Sequence, residues 1–407
     1  MSERAPRIIL VNRVYWPSTE ATAQLLTDLA EGLAARGHAV HVFTAGESST
    51  THHGVTIHRS GTPDGHTGLV SRALGYRRFL RAVRQQLPAL VQPGDAVVVL
   101  TDPPLLGTVT AEALAGRGTV VQWIQDIYPE IAAVHFGPVA GLLLGGWQRR
   151  RNGAWANSAA CVTLGADMAQ AVAATGVPDD RLTILPNWAP RELDAPASAA
   201  EVSAGRQRWN AGDRFVVVYS GNLGRVHEFS TVLDAAERLR GDPNIVFHCV
   251  GRGPQWAKVA EAVRRRELAN VVLQPPVPRA ELGALLASAD AHLVTLQPAY
   301  GRLVYPSKLA GVLAAGRPTL FVGPPQGDIA RLLRTGDCGA AFAPGDADAL
   351  AETIRRWARD RAEPARLGAN ARRVYAAQFT GAAALDRWET LLRRLAPGAP
   401  GVKPSLP

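Results

Sequence analysis

A glycine-rich segment between a β-branched run and a helical pattern carries the strongest chemical signal in this chain of 407 residues. The segment GNLGRVHEF (221–229) follows the run FVVVYS and precedes a helical pattern. Glycine lets a backbone approach a ligand closely, and the N–H groups that begin a helix bind phosphate oxygens. Arg225 and His227 add donors suited to a diphosphate. The segment therefore predicts a phosphate site, with an ordinary strand-to-helix turn as the alternative.

Two further segments predict chemistry of the same kind. The turn VGRGP follows the next apolar run and sets Arg252 between two glycines, where it reaches a base or a phosphate unless the turn is purely structural. In YPSKLAGVLAAGRP, Pro306 suits the first turn of a helix, and Ser307 and Lys308 lie at the positive helix end. A lysine is disfavoured there, so either an anionic ligand is near or the side chain bends into solvent.

Two carboxylates follow β-branched runs in the first half of the chain. Asp102, in TDPP, and Asp126, in QDIYPE, would hold sugar hydroxyls or take a proton, and helix capping is the alternative use of either. His52 and His53 lie in a polar stretch without a ligand-spaced partner, so we interpret them as solvated. No His, Asp or Glu cluster with metal-ligand spacing accompanies the phosphate-binding segments, so the sequence predicts no metal there.

The elements that position these residues follow from the pattern of the whole chain. Short β-branched runs alternate with longer helical patterns, which is typical of parallel sheets covered by helices. The predicted strands are Arg7–Asn12, Ala39–Thr44, Val55–Arg59, Ala96–Thr101, Thr119–Ile124, Ala160–Leu164, Leu182–Leu185, Phe215–Ser220, Ile245–Val250, Val271–Gln274, Ala291–Leu296 and Pro318–Val322. A first helix is predicted to begin near Ser18 or Thr19, with either as its cap, and to end at Gly37. Later helical patterns cover Thr231–Arg240, Trp256–Glu267, Arg279–Ser288, Ser307–Ala315 and Ala347–Leu395.

The proline-rich segment Pro186–Pro196 interrupts this alternation and marks the predicted domain boundary. It divides the chain into domains of residues 1–190 and 191–375, a helix at 376–396 that returns to the first domain, and a Pro/Gly tail at 397–407 predicted to be disordered. The fold class is α/β, with two doubly wound Rossmann-like domains facing a cleft. Ligands are expected at the carboxyl ends of the strands.

The amino-acid composition limits the classes of function that are expected for this chain. Lys and Arg total 44 against 35 Asp and Glu, and the formal net charge of +9 favours an anionic partner without identifying it. Nucleic-acid binding has only that charge in its favour and is not expected. The three cysteines are too few for a disulfide framework or a structural zinc site. With no signal peptide and no apolar span of roughly 20 residues, the expected location is the cytoplasm.

An apolar run with a basic end has two interpretations. The run Ile131–Trp147 precedes Arg149–Arg151, and it forms either a buried loop and helix or a surface that rests on an anionic membrane. The stretch Arg72–Arg84 contains five arginines and is either a solvated helix or a contact for lipid phosphate or nucleic acid. Neither segment predicts a transmembrane protein.

Taken in order, the segments resemble the family 4 retaining glycosyltransferases of the GT-B fold, especially the bacterial cell-surface polysaccharide type. The matching segments, within about Arg7 to Trp388, are WPSTEATAQLLTDLAEGLAARGHAVHVFT, QDIYPEIA, ILPNWA, YSGNLGRVHEFSTVLDAA and PSKLAGVLAAGRP. The resemblance implies that the second domain binds a nucleotide diphosphate sugar, with a UDP-sugar foremost. The sugar passes to an acceptor on the first domain, with the anomeric configuration retained and without a metal or cofactor. Two kinds of acceptor are expected. The acceptor is either lipid-linked, in which case the protein works as a peripheral membrane enzyme, or it is a small soluble molecule.

The resemblance also implies roles for individual residues. The donor-binding residues would be Gly221, Asn222, Arg225, His227, Ser307 and Lys308, with Arg252 and Val277 toward the nucleotide base. The catalytic groups would be Arg225, Lys308 and Asp126, which favour the departure of the diphosphate by electrostatic stabilisation.

The chain departs from the family pattern at several positions. Asn222 and His227 stand where many members have arginine and lysine, and Gln125 stands where a histidine is common. Leu303 and Gly311 replace two glutamates of the family. A sugar-nucleotide epimerase or hydrolase of the same fold, or a non-catalytic sugar-nucleotide-binding subunit, therefore remains an alternative. A Rossmann dehydrogenase is disfavoured, because no G-x-G-x-x-G follows the first strand.

Overall fold

The computed structural model describes residues 6–63, 68–137, 141 and 143–396, and the chain forms two compact units. The first unit comprises the described residues up to Pro186, Leu303–Tyr305, and residues 382–396. The second comprises Asn187–Arg302 and Pro306–Gly381. The predicted disordered tail at 397–407 lies outside the described residues.

An eight-stranded sheet forms the centre of the first unit, in the order β3-β4-β2-β1-β5-β6-β7-β8. The strands are β1 Ile8–Val11, β2 Val40–Thr44, β3 Thr50–His52, β4 Val55–Arg59, β5 Ala96–Val99, β6 Thr119–Trp123, β7 Ala160–Thr163 and β8 Leu182–Ile184. Only β3, at the edge, pairs antiparallel, among the strands of the described part of this unit. The strand β1, IILV, is wholly buried, as expected for a strand covered on both faces.

The helices of the first unit connect these strands. They are α1 Ala21–Ala35, α2 Leu69–Leu90, α3 Leu106–Leu114, α4 Glu130–Phe136, α5 Gly145–Ala156 and α6 Ala166–Ala173. The prediction that Ser18 or Thr19 caps α1 is wrong, because the N-cap is Glu20. The Ser18 hydroxyl instead accepts the Glu20 N–H at 3.3 Å, one turn before the helix. At the other end, Gly37 has a φ of +88° and follows the C-cap as predicted.

A six-stranded, wholly parallel sheet forms the second unit, in the order β11-β10-β9-β12-β13-β14. The strands are β9 Phe215–Asn222, β10 Ile245–Arg252, β11 Val271–Gln274, β12 Ala291–Thr295, β13 Thr319–Val322 and β14 Gly339–Phe342. The helices are α7 Ala199–Arg208, α8 Ser230–Arg238, α9 Trp256–Arg265, α10 Leu282–Ala287, α11 Lys308–Ala314, α12 Asp328–Thr335, α13 Ala347–Arg359 and α14 Ala362–Gln378. The long predicted helical segment at the end of the chain is thus interrupted between α13 and α14.

The last helix, α15 Gly381–Leu395, packs on the first unit. Trp388 is fully buried, and its ring meets the ring of Trp123 edge-on, with centroids 4.8 Å apart. The Arg36 guanidinium, at the C-cap of α1, lies 2.8 Å from the carboxylates of both Asp386 and Glu389. An apolar contact in the core and an ion-pair cluster at its rim therefore hold this helix.

Candidate functional site

The strand order of the second sheet reverses between β9 and β12, and the glycine-rich segments lie beside this reversal. The strands β9 and β10 pair to their ends, with Gly221 opposite Gly251 and Asn222 opposite Arg252. These residues therefore continue the strands, where the sequence predicts turns. In doubly wound sheets, ligands bind beyond the carboxyl ends of the strands at such a reversal.

The close approach of β9 and β10 requires glycine at position 251. A Cβ atom built there would lie 2.0 Å from the backbone carbonyl oxygen of Gly221. At position 253, a Cβ would lie 2.5 Å from the Leu223 carbonyl oxygen. These contacts are with backbone, which cannot rotate away, so the glycines keep the two strand ends together.

Gly251→Ala is expected to lower the free energy of unfolding, because the new methyl group forces apart two strands that are hydrogen-bonded at this point. Overpacking of this kind costs about 1–3 kcal/mol, and urea denaturation measures it. Gly241→Ala is the matched control, since a Cβ at position 241 has nothing within 4 Å. Equal stability of the two variants would contradict this account of the glycine.

Lys308, at the start of α11, is the cation at the end of β9. Its Nζ lies 2.9 Å from His227 Nε2 and 3.2 Å from the Asn222 carbonyl oxygen, to which it donates. The ammonium also lies 5.0 Å from the centre of the Tyr219 ring. The stem of Lys308 packs against Gly221, where a Cβ would be 2.8 Å from Lys308 Cε. Neighbouring residues therefore fix both the aliphatic carbons and the Nζ atom of Lys308.

His227 is a neutral partner of Lys308. Its Nδ1 lies 2.7 Å from the Thr295 carbonyl oxygen, which can only accept, so Nδ1 carries the proton and Nε2 accepts from the ammonium. Burial, reinforced by the charge of Lys308, lowers the pKa of His227 to about 4. Burial likewise lowers the pKa of Lys308 to about 7. Both ring nitrogens of His227 are thus engaged, one with Thr295 and one with Lys308, and its contact with a phosphate stays a prediction.

Two glutamines that belong to no recognised sequence motif hold the segment between β9 and α8. Gln255 Nε2 donates to the carbonyl oxygens of Gly224 and His227 at 2.6 and 3.0 Å. Gln297 Nε2 donates to those of Arg225 and His227 at 3.0 and 3.2 Å. Their signal in the sequence is weak, because each lies beyond a different strand and far from position 227.

The other predicted donor-binding residues belong to the same unit. Arg225 and Arg252 are exposed, and Arg252 ends β10 beside Asn222. Ser307 is the exposed N-cap of α11, and its side chain makes no capping hydrogen bond. Pro306 therefore precedes the helix, where the sequence predicts its first turn. Val277 is half-buried and lies between β11 and α10.

The two positions where the family has glutamates are not equivalent here. Leu303 belongs to the first unit, and its carbonyl oxygen accepts the Ile127 N–H at 2.9 Å. Gly311 lies within α11, and a Cβ there would be 3.5 Å from Leu286 and 3.6 Å from Leu193. A side chain at position 311 thus starts against apolar groups, which fits a residue without charge.

In the first unit, Asp102 and Asp126 follow neighbouring strands. Asp102 lies 2.9 Å from the guanidinium of Arg13, which follows β1 at the reversal of that sheet. Burial, with a smaller contribution from the Asp102 carboxylate, raises the pKa of Asp126 to about 6. Neither residue caps a helix, because α3 and α4 have Leu105 and Pro129 as their N-caps. Its surroundings therefore favour the protonated form of Asp126 more than solvent would.

Two surface predictions for the first unit require correction. The described part of Ile131–Trp147 is not a buried helix: α4 has no buried residue, and Phe136, Leu143 and Trp147 are 71%, 78% and 52% exposed. Residues 138–140 and 142 of that run lie outside the described residues. Arg151, predicted to be part of a basic surface, is buried and pairs with Glu130 at 2.6 Å.

His53 is solvated as predicted, whereas His52 is half-buried, and the two histidines do have a partner. Both lie beside the Glu31 carboxylate, and the three ligand atoms are within 4.8 Å of one another. The sequence spacing conceals this cluster, because Glu31 is on α1 whereas the histidines end β3.

Known proteins with related sequences match both halves of the chain. The glycosyl transferase 4-like domain matches residues 21–188, and the glycosyl transferases group 1 domain matches residues 204–374. WcaI of Escherichia coli (strain K12), named as a colanic acid biosynthesis glycosyl transferase, is 30% identical over 183 residues. That match covers 44% of this chain and less than half (45%) of WcaI. WbjE of Pseudomonas aeruginosa, named as a glycosyltransferase, is 27% identical over 70% of this chain and 72% of its own length.

Solved structures show the same architecture. Anabaena Alr3699/HepE, solved in complex with UDP, superposes with a TM-score of 0.72 over 95% of this chain and 99% of its own, at 17% identity. That likeness concerns the fold, and it agrees with two parallel α/β units built from consecutive parts of the chain. The predicted α/β fold class is thus confirmed. With both domain families matched, the chain belongs to the glycosyltransferases of the family 4 type, which have the GT-B fold.

Proposed function

We propose that this protein transfers a sugar from a nucleotide diphosphate sugar, most simply a UDP-sugar, to an acceptor hydroxyl with retention of the anomeric configuration. The observation that carries the proposal is the Lys308 ammonium, held between His227 and Asn222 at the end of β9. A cation in that place, with Arg252 at the end of β10 and Arg225 in the segment after β9, suits a diphosphate. The UDP in the Alr3699/HepE structure supports the nucleotide class.

The reaction needs stabilisation of a leaving group more than a strong nucleophile. The bond from the anomeric carbon to the diphosphate oxygen breaks, and its electron pair leaves with the nucleotide. The acceptor oxygen forms the new bond on the same face of the sugar, and its proton passes to the departing phosphate. Lys308 and Arg225 favour this step by neutralising the charge that develops on the diphosphate. Asp126, with its pKa raised to about 6 by burial and by Asp102, is proposed to hold the acceptor hydroxyl.

A donor screen tests this proposal. The purified protein is incubated with a panel of nucleotide sugars, and release of the nucleoside diphosphate is followed by mass spectrometry with and without candidate acceptors. We expect turnover that depends on an acceptor, persists in the presence of a chelator, and yields a product with the donor's anomeric configuration by NMR. Epimerised donor, acceptor-independent hydrolysis, or binding without turnover would instead favour an epimerase, a hydrolase or a non-catalytic subunit.

The surface of the first unit favours a lipid-linked acceptor, with the enzyme working at the cytoplasmic face of a membrane. All five arginines of the stretch 72–84 on α2 are exposed, as are Arg149 and Arg150 on α5. Glu112 of α3 pairs with Arg84 at 3.3 Å and with Arg150 at 2.7 Å, so the basic helices are neighbours. The exposed Phe136 and Trp147 adjoin this surface in the chain. No helix in the described residues is long and apolar enough to cross a membrane.

Sedimentation with lipid vesicles tests the membrane contact. We expect binding to anionic but not to neutral vesicles at low salt, because each arginine near an anionic surface contributes about 1 kcal/mol. Phe136→Ser combined with Trp147→Ser is expected to weaken that binding severalfold. Ile184→Ser is the control, since Ile184 is 45% exposed in the same unit but lies on β8. Absence of binding to anionic vesicles would leave a small soluble acceptor.

A further inference from the structure

Three side chains from separate elements of the first unit converge beside an edge strand. Glu31 lies on α1, His52 is the last residue of β3, and His53 follows it. His52 Nε2 is 3.5 Å from one oxygen of the Glu31 carboxylate, and His53 Nδ1 is 3.1 Å from the other. Ligand atoms bonded at about 2.1 Å to one tetrahedral ion stand about 3.4 Å apart. One ligand atom from each of the three residues lies within 4.8 Å of the other two, so the three approach that spacing.

The rings are held in this arrangement by stacking. The Trp16 ring lies on the His52 ring with centroids 3.8 Å apart and an interplanar angle of 18°, and the His53 ring lies 4.0 Å from that of His52. The Glu31 and His52 side chains are 19% and 22% exposed, whereas that of His53 is 63% exposed. Stacked rings direct their lone pairs in nearly parallel planes, so His53 must turn about its side-chain bonds to face the same ion as His52. Its exposure to solvent leaves room for that turn and gives an ion a route of entry.

We propose that Glu31, His52 and His53 bind a divalent transition-metal ion, with Zn²⁺ as the type case. Two imidazoles and one carboxylate suit zinc and its neighbours, whereas magnesium and calcium prefer oxygen ligands alone. A solvent molecule would complete the coordination. The ion would connect α1 to β3, a strand of three residues whose place is at the edge of the sheet. Its role is structural, and it is independent of the proposed transfer reaction, whose donor-binding residues belong to the second unit.

Titration calorimetry on untagged full-length protein, treated with a chelator and desalted, tests this site. We expect one Zn²⁺ per chain and a higher thermal unfolding temperature when Zn²⁺ is present. His53→Asn is expected to weaken binding by roughly tenfold or more and to remove most of the thermal shift. Asparagine is suitable because His53 has a φ of +45°, which asparagine tolerates, and because its side chain is largely exposed.

Two further variants make the result specific. His135→Asn, on α4, changes the same residue type outside the cluster and is expected to bind Zn²⁺ as the parent protein does. Glu31→Gln keeps the side-chain size but removes the anionic ligand, and it is expected to weaken Zn²⁺ binding as His53→Asn does. Absence of stoichiometric Zn²⁺ binding, or equal affinity in the parent and both cluster variants, would overturn the proposal.

Discussion

Replacing Lys308 with methionine is expected to weaken the binding of UDP by roughly 10- to 150-fold, because a charge-assisted contact contributes about 1.5–3 kcal/mol. Methionine preserves most of the aliphatic stem of Lys308, which packs on Gly221. A Cβ atom built at position 221 would lie 2.8 Å from Lys308 Cε. The loss should therefore come from the missing charge and not from a cavity. Turnover should fall by about 10²–10³, since the same charge acts on the departing diphosphate.

Uridine provides the internal control for this variant. It has the base and ribose of UDP but no phosphate, so its binding should be equal in the parent protein and in Lys308→Met. Lys308→Arg should recover part of the UDP affinity, because it restores the charge with a different geometry. An equal loss of uridine and UDP binding would mean that Lys308 shapes the site without contacting the diphosphate.

Donor affinity is expected to fall with rising pH above neutrality, by up to about tenfold per pH unit. Burial lowers the pKa of Lys308 from 10.5 to about 7, so the lysine is charged below pH 7 and loses its proton above it. A bound diphosphate favours the charged form. Below pH 7 the cation is already present and affinity should be level, whereas above pH 7 binding must take up a proton. His227 stays neutral throughout this range, because its pKa is about 4.

Calorimetry with an intact nucleotide sugar measures this linkage. Both phosphates of such a donor are diesters, so the ligand itself does not titrate near neutrality. Repeating the titration in buffers of different ionisation enthalpy should reveal proton uptake that approaches one per donor above about pH 8. Lys308→Arg should abolish the pH dependence, because arginine keeps its charge. A profile for that variant with the parent's slope would assign the titration to another group.

The strands of the two sheets were predictable to within one or two residues wherever β-branched residues dominate. For Val55–Arg59 and Val271–Gln274 the predicted bounds are those of the structure. The two strands of the described residues that escaped prediction lack a run of buried β-branched residues. TTH in β3 is polar and mostly exposed, and GAAF in β14 has no β-branched residue. Both lie at the edges of their sheets, where the backbone pairing of a neighbouring strand, and not side-chain burial, decides their structure.

The residue types of the proposed donor site are visible in the sequence, but the contacts among these residues are not. Glycine, arginine and lysine near the strand ends are visible in the sequence as a phosphate-binding set. The hydrogen bond between Lys308 and His227 joins positions 81 residues apart, and the proton on Nδ1 of His227 depends on the carbonyl oxygen of Thr295. Such pairings follow from the strand order of the sheet. The lowered pKa of Lys308 therefore became visible only in the folded chain.

The course of the chain between its two units has a consequence for engineering. Leu303–Tyr305 and the described residues from Ala382 belong to the first unit, although the first of these segments is flanked in sequence by the second unit and the other follows it. A chimera made by one junction near Pro186 would therefore combine Trp123 of one parent with Trp388 of the other, in a contact of 4.8 Å between fully buried rings. Exchange of donor specificity between relatives should instead graft 187–302 and 306–381 together. The recipient would then keep its own residues 303–305 and its own final helix.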